Sequence, residues 1–180
     1  TFQGTINEFI GDAIFAIFGA PIRRDDDAQR GVACALAMQQ AMGPVNAEVT
    51  ARGLPPLEMG IGIHTGEVVV GNIGSVRRAK YGVVGSHVNL TGRIESYTVG
   101  GQVLISDRTL DAAGPCGPLR EAHGVVRQYT RALGGEGVDR GLSRDTGRRR
   151  PQRQRNAGRR PHPLIVRNWF GSCNHRRRRI

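Results

Sequence analysis

The stretch "INEFIGDAIFAIFGAP", Ile6 to Pro21, constrains the fold more tightly than any other part of the chain. Two apolar runs, "EFI" and "AIFAIF", meet at Gly11-Asp12. Gly at the first central position of a two-residue loop is what a type II′ hairpin turn requires. The stretch therefore predicts an antiparallel pair with a lone carboxylate, Asp12, at its tip. Taken alone, Asp12 reads as a turn residue, because Asp tolerates unusual backbone angles and bonds its own backbone.

Further along, the hydrophobic period changes. In "PIRRDDDAQRGVACALAMQQAMG" and beyond, Val32, Leu36, Met42, Val45 and Val49 recur at roughly helical spacing. Asp25, Asp26 and Asp27 stand at its start, where the helix dipole favours negative charge, and read as a capping cluster. Gly43-Pro44 predicts a kink or break, since proline lacks the amide proton and clashes with the preceding turn. In "LEMGIGIHTGEVVVGNIGS", Leu57, Met59, Ile61 and Ile63 alternate with Glu58, Gly60, Gly62 and His64, a strand with one apolar face. "EVVVGN" and "KYGVV" read as further strands. "GSHVNLTGRIESY" turns helical with Ser86 as its cap, "GQVLIS" is a strand, and "SDRTLDAAG" is a short helix opened by Ser106 and closed by Gly114. The expectation is an α+β fold, a ferredoxin-like antiparallel sheet with helices packed on it, incomplete within this chain.

Charge divides the 180 residues in two. The whole carries 26 basic and 15 acidic residues, a net of +11. Residues 1–112 hold 9 basic and 11 acidic residues, a net of −2, which leaves 17 against 4, or +13, for 113–180. Only Lys80 is a lysine. The sequence thus predicts a domain over 1–114 and an Arg/Gly/Pro-rich segment over 115–180, read as disordered because it offers too little apolar surface to offset the entropy of ordering it. The abrupt change to arginine-only charge fits a shift of reading frame in a GC-rich gene. Three cysteines without framework spacing point to neither a disulfide scaffold nor a zinc site, and a reducing cytoplasm suits them. Cys34 reads as a buried structural thiol. No run approaches the ~18 apolar residues of a membrane span, and no charged-then-apolar leader opens the chain, so it reads as soluble, with the parent protein left free to be membrane-anchored.

Asn89 and Arg93 lie one turn apart on one helix face. An amide and a guanidinium aimed together suit a sugar edge and a phosphoryl oxygen. Alone they read as a solvated polar face. The three motifs "NEFIGDAIFAIFGAP", "GIGIHTGEVVVGNIGS" and "YGVVGSHVNLTGRIES", in that order, resemble the catalytic domain of class III nucleotide cyclases, the adenylate and guanylate cyclase family, over about residues 3 to 112.

That resemblance implies conversion of ATP or GTP to a 3′,5′-cyclic nucleotide and pyrophosphate in signal transduction, with two divalent ions, Mg²⁺ or Mn²⁺, in the complete site. Asp12 is implied as a metal ligand. Asn89 is implied to orient the ribose and Arg93 to stabilise charge growing on the α-phosphate. Because Asn89 and Arg93 belong to one subunit and Asp12 to the other, the resemblance also implies a homodimer. Glu8 stands where the family's adenylate cyclases carry a lysine and its guanylate cyclases a glutamate. A carboxylate accepts from guanine N1–H and N2–H and offers adenine N1 nothing, so Glu8 leans toward GTP. The partner base-reading position falls on Gly82, which has no side chain to contribute. A sensor or regulatory domain is implied in the parent protein.

The sequence also departs from the family. The second metal-binding aspartate belongs to a first strand ahead of Thr1, and the triphosphate lysine of a "KGK"-like segment has no counterpart. With neither group present, the 180 residues assayed alone are expected to form no cyclic nucleotide above background. Ser86-His87 replace what is commonly an Asp and a small residue. His64, His87, His123, His162 and His175 show no zinc spacing with cysteine beyond "CNH" at 173–175. Two rival readings stand beside the enzyme: non-specific nucleic-acid binding through "GRRRPQRQR" and "HRRRR", with no specific nucleic acid as partner, and a catalytically dead dimerisation module.

Overall fold

A computed structural model describes residues 1–75, 77–115, 125–131, 137–141 and 164–172, with side chains described as far as residue 129. The elements run β1 (Thr5–Ile10), β2 (Ala13–Phe18), α1 (Asp27–Ala51), β3 (Leu57–Thr65), β4 (Val69–Ser75), β5 (Arg78–Val84), α2 (Ser86–Ser96), β6 (Val103–Ser106), α3 (Asp107–Ala113), β7 (Val126–Arg131), β8 (Gly137–Gly141) and β9 (Leu164–Ser172). Strands and helices mix as the sequence requires, and the fold is α+β. Seven strands form one sheet in the order β1-β2-β9-β3-β6-β7-β8, while β4 and β5 form a separate antiparallel arm. The large sheet is antiparallel at β1–β2, β2–β9, β9–β3 and β7–β8 and parallel at β3–β6 and β6–β7.

Alternation in β2 and β3 decides which layers form. Phe18 of β2 and Met59, Ile61 and Ile63 of β3 face a core shared with Val32 and Ala35 of α1, Val103 and Ile105 of β6 and Ala113 of α3. Burying side chains of this kind stabilises by about 1.5–3 kcal/mol each relative to leaving them exposed, so this row anchors α1 and α3 to one face of the sheet. The opposite face of β3 carries Gly60, Gly62 and His64, and α2 lies on it. A Cβ at Gly62 would come 2.5 Å from the Glu95 backbone nitrogen, and one at Gly60 would fall 2.8 Å from Thr98 Cβ. The glycines that look like a featureless face in the sequence are thus the seat of α2. Ile94 and Leu104 are buried with Tyr129 beside Leu90 in the layer beneath that helix.

Three expectations need correction. The helix does not break at Gly43-Pro44, for α1 continues through Pro44 to Ala51. Proline removes one helical hydrogen bond, but the turns on either side are tied to the sheet. Gln39 donates to the Met59 carbonyl at 2.8 Å, Asn46 donates to the Leu57 carbonyl at 2.9 Å, and the Leu57 amide donates back to Asn46 Oδ1 at 2.7 Å. The second correction concerns caps. Asp26 is the N-cap residue of α1 but makes no side-chain cap bond; Asp26 and Asp27 instead pair with Arg30. Likewise Gly85, not Ser86, is the N-cap of α2, whereas Ser106 caps α3 as expected by accepting from the Thr109 amide, and Gly114 closes it at φ 61°.

The third concerns the segment read as disordered. Residues 126–131, 137–141 and 164–172 are strands, and β9 occupies the centre of the sheet between β2 and β3. Their apolar residues are few or interrupted by arginine, asparagine and glycine, which hides the strand period among the surrounding charge. The arginine runs at 147–155 and 176–179 lie outside the described residues.

Candidate active site

The β1–β2 hairpin closes as the sequence demands. Ile10 pairs with Ala13 across the two-residue loop, and Gly11 takes φ 62°, the positive sign that a type II′ turn needs there. Asp12 at the tip is exposed. Among the described residues its carboxylate makes no hydrogen bond or ion pair, so it stands as an uncommitted hard oxygen donor, the kind that suits Mg²⁺ or Mn²⁺. No group of three or more His, Cys, Asp or Glu side chains able to hold a metal occurs among the described residues, so Asp12 fits as one contributor to a metal site and not as a complete one.

The second half of the site is α2. Its inner side buries Thr91 and Ile94, while Asn89 and Arg93 are both exposed. Neither side chain pairs with any described residue, so the helix holds out an amide and a guanidinium one turn apart. No hydrogen bond or ion pair among the described residues links either one to Asp12. The sequence thus places two sets of functional groups on two separate exposed elements.

Beneath α2 lies a buried polar chain whose members stand far apart in the sequence. His64, at the end of β3 and 2 % exposed, shares a 2.8 Å hydrogen bond through Nδ1 with Ser106 Oγ and another, also 2.8 Å, through Nε2 with His87 Nδ1. Ser106 Oγ lies 3.0 Å from Thr109 Oγ1, which in turn lies 3.1 Å from Thr65 Oγ1. The chain joins the end of β3, the first turn of α2 and the cap of α3. One ring donates the single proton of the contact between the two imidazoles, and the accepting nitrogen of the other is unprotonated. Burial first, then the charges of His87 and Arg108, hold the His64 pKa down to about 4. The spacing of 23 residues between the two histidines gave no warning of this contact. The nearest signal was Gly66, where a Cβ would meet the His87 ring at 2.3 Å.

Glu8 and Gly82, the two positions that the family resemblance implies as base-reading, lie on different strands. Glu8 sits in β1 next to a register shift between Ile6 and Glu8, and such bulges re-aim side chains. Gly82 is buried in β5 opposite Gly71. Lys80, also on β5, closes the gap between strands, with Nζ 2.5 Å from Glu8 Oε1. Cys34 is half-buried against the α1 core, and burial pushes its thiol pKa up, in keeping with a structural role.

Residues 5–124 match the adenylate and guanylate cyclase catalytic domain, and the chain belongs to that family. It is 39 % identical over 93 residues to adenylate cyclase 1 of Rhizobium meliloti (strain 1021), a match covering 52 % of this chain and 14 % of that protein. The chain therefore spans a small part of the curated relatives it matches. Among solved structures it resembles the guanylyl cyclase Cya2, with 52 % identity and a TM-score of 0.66, covering 81 % of this chain and 74 % of that one. It also resembles the adenylyl cyclase CyaB from P. aeruginosa, with 27 % identity and a TM-score of 0.63 over 98 % and 74 % of the two chains. Among the described residues no helix is long and apolar enough to cross a membrane.

Proposed function

We propose that this domain, acting as a homodimer in the cytoplasm under the control of a sensor or regulatory domain, cyclises a purine nucleoside triphosphate, GTP in preference to ATP. The observation that carries this reading is the exposure of three groups, Asp12, Asn89 and Arg93, that make no hydrogen bond or ion pair among the described residues and stand on two separate elements, a hairpin tip and a helix face. In a dimer each site takes Asp12 from one copy and Asn89 and Arg93 from the other. The ribose 3′-oxygen attacks the α-phosphorus and pyrophosphate leaves. Asn89 orients the ribose, and the Arg93 guanidinium faces the α-phosphoryl oxygens, where negative charge grows in the transition state. Asp12 holds one side of the metal site, and Mg²⁺ or Mn²⁺ when bound supplies triphosphate neutralisation and a more acidic 3′-hydroxyl. Glu8 supports guanine over adenine, and the high identity to a protein described as a guanylyl cyclase points the same way.

The test has two parts. The 180-residue chain should bind Mn²⁺-GTP more tightly than Mn²⁺-ATP. A version supplied with the upstream aspartate and the triphosphate lysine named above should then form cyclic GMP. Equal binding of the two purines would remove the guanine assignment. Absence of any cyclic product from the supplemented version would remove the enzyme.

A further inference from the structure

On β5 the ladder with β4 runs without a bulge from Arg78 to Val84, so Lys80 and Gly82 project from the same face of the strand. Gly82 offers no side chain at the second base-reading position. Lys80, two residues earlier on that face, reaches across to the carboxylate at the first, with its Nζ on Glu8 Oε1. As a structural strut this pair is weak, because Lys80 and Glu8 side chains are 63 % and 42 % exposed and exposed ion pairs contribute little. Its chemistry fits a ligand edge better.

We propose that Lys80 is a specificity-determining residue that reads guanine together with Glu8, a proposal that rests on the nucleotide-cyclase reading above. The Watson–Crick edge of guanine presents O6 as acceptor, then N1–H and N2–H as donors. The Glu8 carboxylate accepts from N1–H and N2–H. The Lys80 ammonium has three donors; one goes to Glu8 Oε1 and a second is free to meet O6. Adenine in the same seat sets its N6 amino group against the ammonium and its N1 lone pair against the carboxylate, two repulsive contacts in place of three attractive ones. The donor that Gly82 cannot supply thus comes from the neighbouring position on the same strand face. Lys80 also keeps Glu8 aimed while the seat is empty.

The experiment titrates the 180-residue chain, unaltered and as Lys80→Met and Lys80→Arg, with Mn²⁺-GTP, Mn²⁺-ATP and Mn²⁺-6-thio-GTP, whose sulfur is a poor acceptor at the O6 position. Lys80→Met should weaken GTP by about 10-fold or more, the scale of a lost hydrogen bond to a charged group, and leave ATP unchanged or tighter. Lys80→Arg should restore most of the GTP affinity. The unaltered chain should bind 6-thio-GTP less tightly than GTP, and Lys80→Met should add no further loss for that analogue, since residue and acceptor are two ends of one contact. Equal weakening of GTP and ATP would make Lys80 a strut between β1 and the arm and overturn the proposal. Retention of full GTP preference in Lys80→Met would overturn it as well while leaving the Glu8 reading intact. Failure of the unaltered chain to prefer GTP would overturn both.

Discussion

The exposed and buried halves of the α2 region obey opposite rules. On the outer face Asn89 and Arg93 have no partner among the described residues, whereas His64, Ser106 and Thr109 below have their polar groups engaged with one another. An unpaired guanidinium is tolerable only where water reaches it, and an unpaired imidazole or hydroxyl is costly where water does not. The difference separates two jobs. The outer groups are free to meet a ligand, and the inner ones fix the helix that carries them. Substitutions outside should therefore change chemistry without stability, and perturbations inside should change stability first.

The largest effect expected on this division is from Arg93→Ala. In the supplemented version described above it should lower turnover on the order of 100- to 1000-fold, the usual loss for one contact that stabilises transition-state charge. Thermal unfolding and dimerisation should be unchanged. A fall in melting temperature of several degrees would show that Arg93 belongs to the structural half.

Acid should act on the inner half. His64 has a depressed folded pKa, about 4 against an ordinary 6.5, so the folded state resists a proton that the unfolded state accepts. Its contribution is present in full above pH 6.5 and is lost as pH falls through about 4. The shift corresponds to roughly 3 kcal/mol at most. Urea unfolding at pH 7 and pH 4.5 should show the unaltered chain losing more stability than His64→Gln, which lacks the titrating ring. Equal losses in the two proteins would show that the imidazole is not what the fold protects from protonation. The smallest effect belongs to a pair in neither half: Arg52 and Glu48, both 68 % exposed at the end of α1. Arg52→Ala should change unfolding free energy by about 0.5 kcal/mol or less and leave nucleotide binding untouched, measured by the same urea and titration experiments.

How far the sequence was legible follows from the range of its signals. Gly11-Asp12 dictated the hairpin because a two-residue turn is decided locally, and alternation fixed β3 because period two is a local property. Ser106 and Gly114 bounded α3 for the same reason. The exposed positions of Asp12, Asn89 and Arg93 followed once the hairpin and α2 were placed. What escaped depends on partners far away in the chain. Pro44 predicts a break until Gln39 and Asn46 are seen holding both flanks of the helix to β3 and its neighbours. Ser86 looks like a cap until Gly85 takes that place. Gly60 and Gly62 look like an empty face until α2 settles on them, and the contact between His64 and His87 follows from that seat. Lys80 lies outside the family's lysine segment, and only the pairing of arm to hairpin brings it to Glu8. The strands at 126–131, 137–141 and 164–172 carry too few consecutive apolar residues to stand out from the charged sequence around them.

In the proposed dimer one chain supplies Asp12 and the other supplies Asn89 and Arg93. This sharing of the site is tested most directly by mixing two inactive variants of the supplemented version, Asp12→Asn and Arg93→Ala, and measuring cyclic GMP from Mn²⁺-GTP. A mixed dimer contains one site in which every group is intact and one in which both are lost. Each variant alone should be inactive, and the mixture should regain activity. A mixture as inactive as its components, with mixed dimers demonstrated by mass, would contradict a shared site.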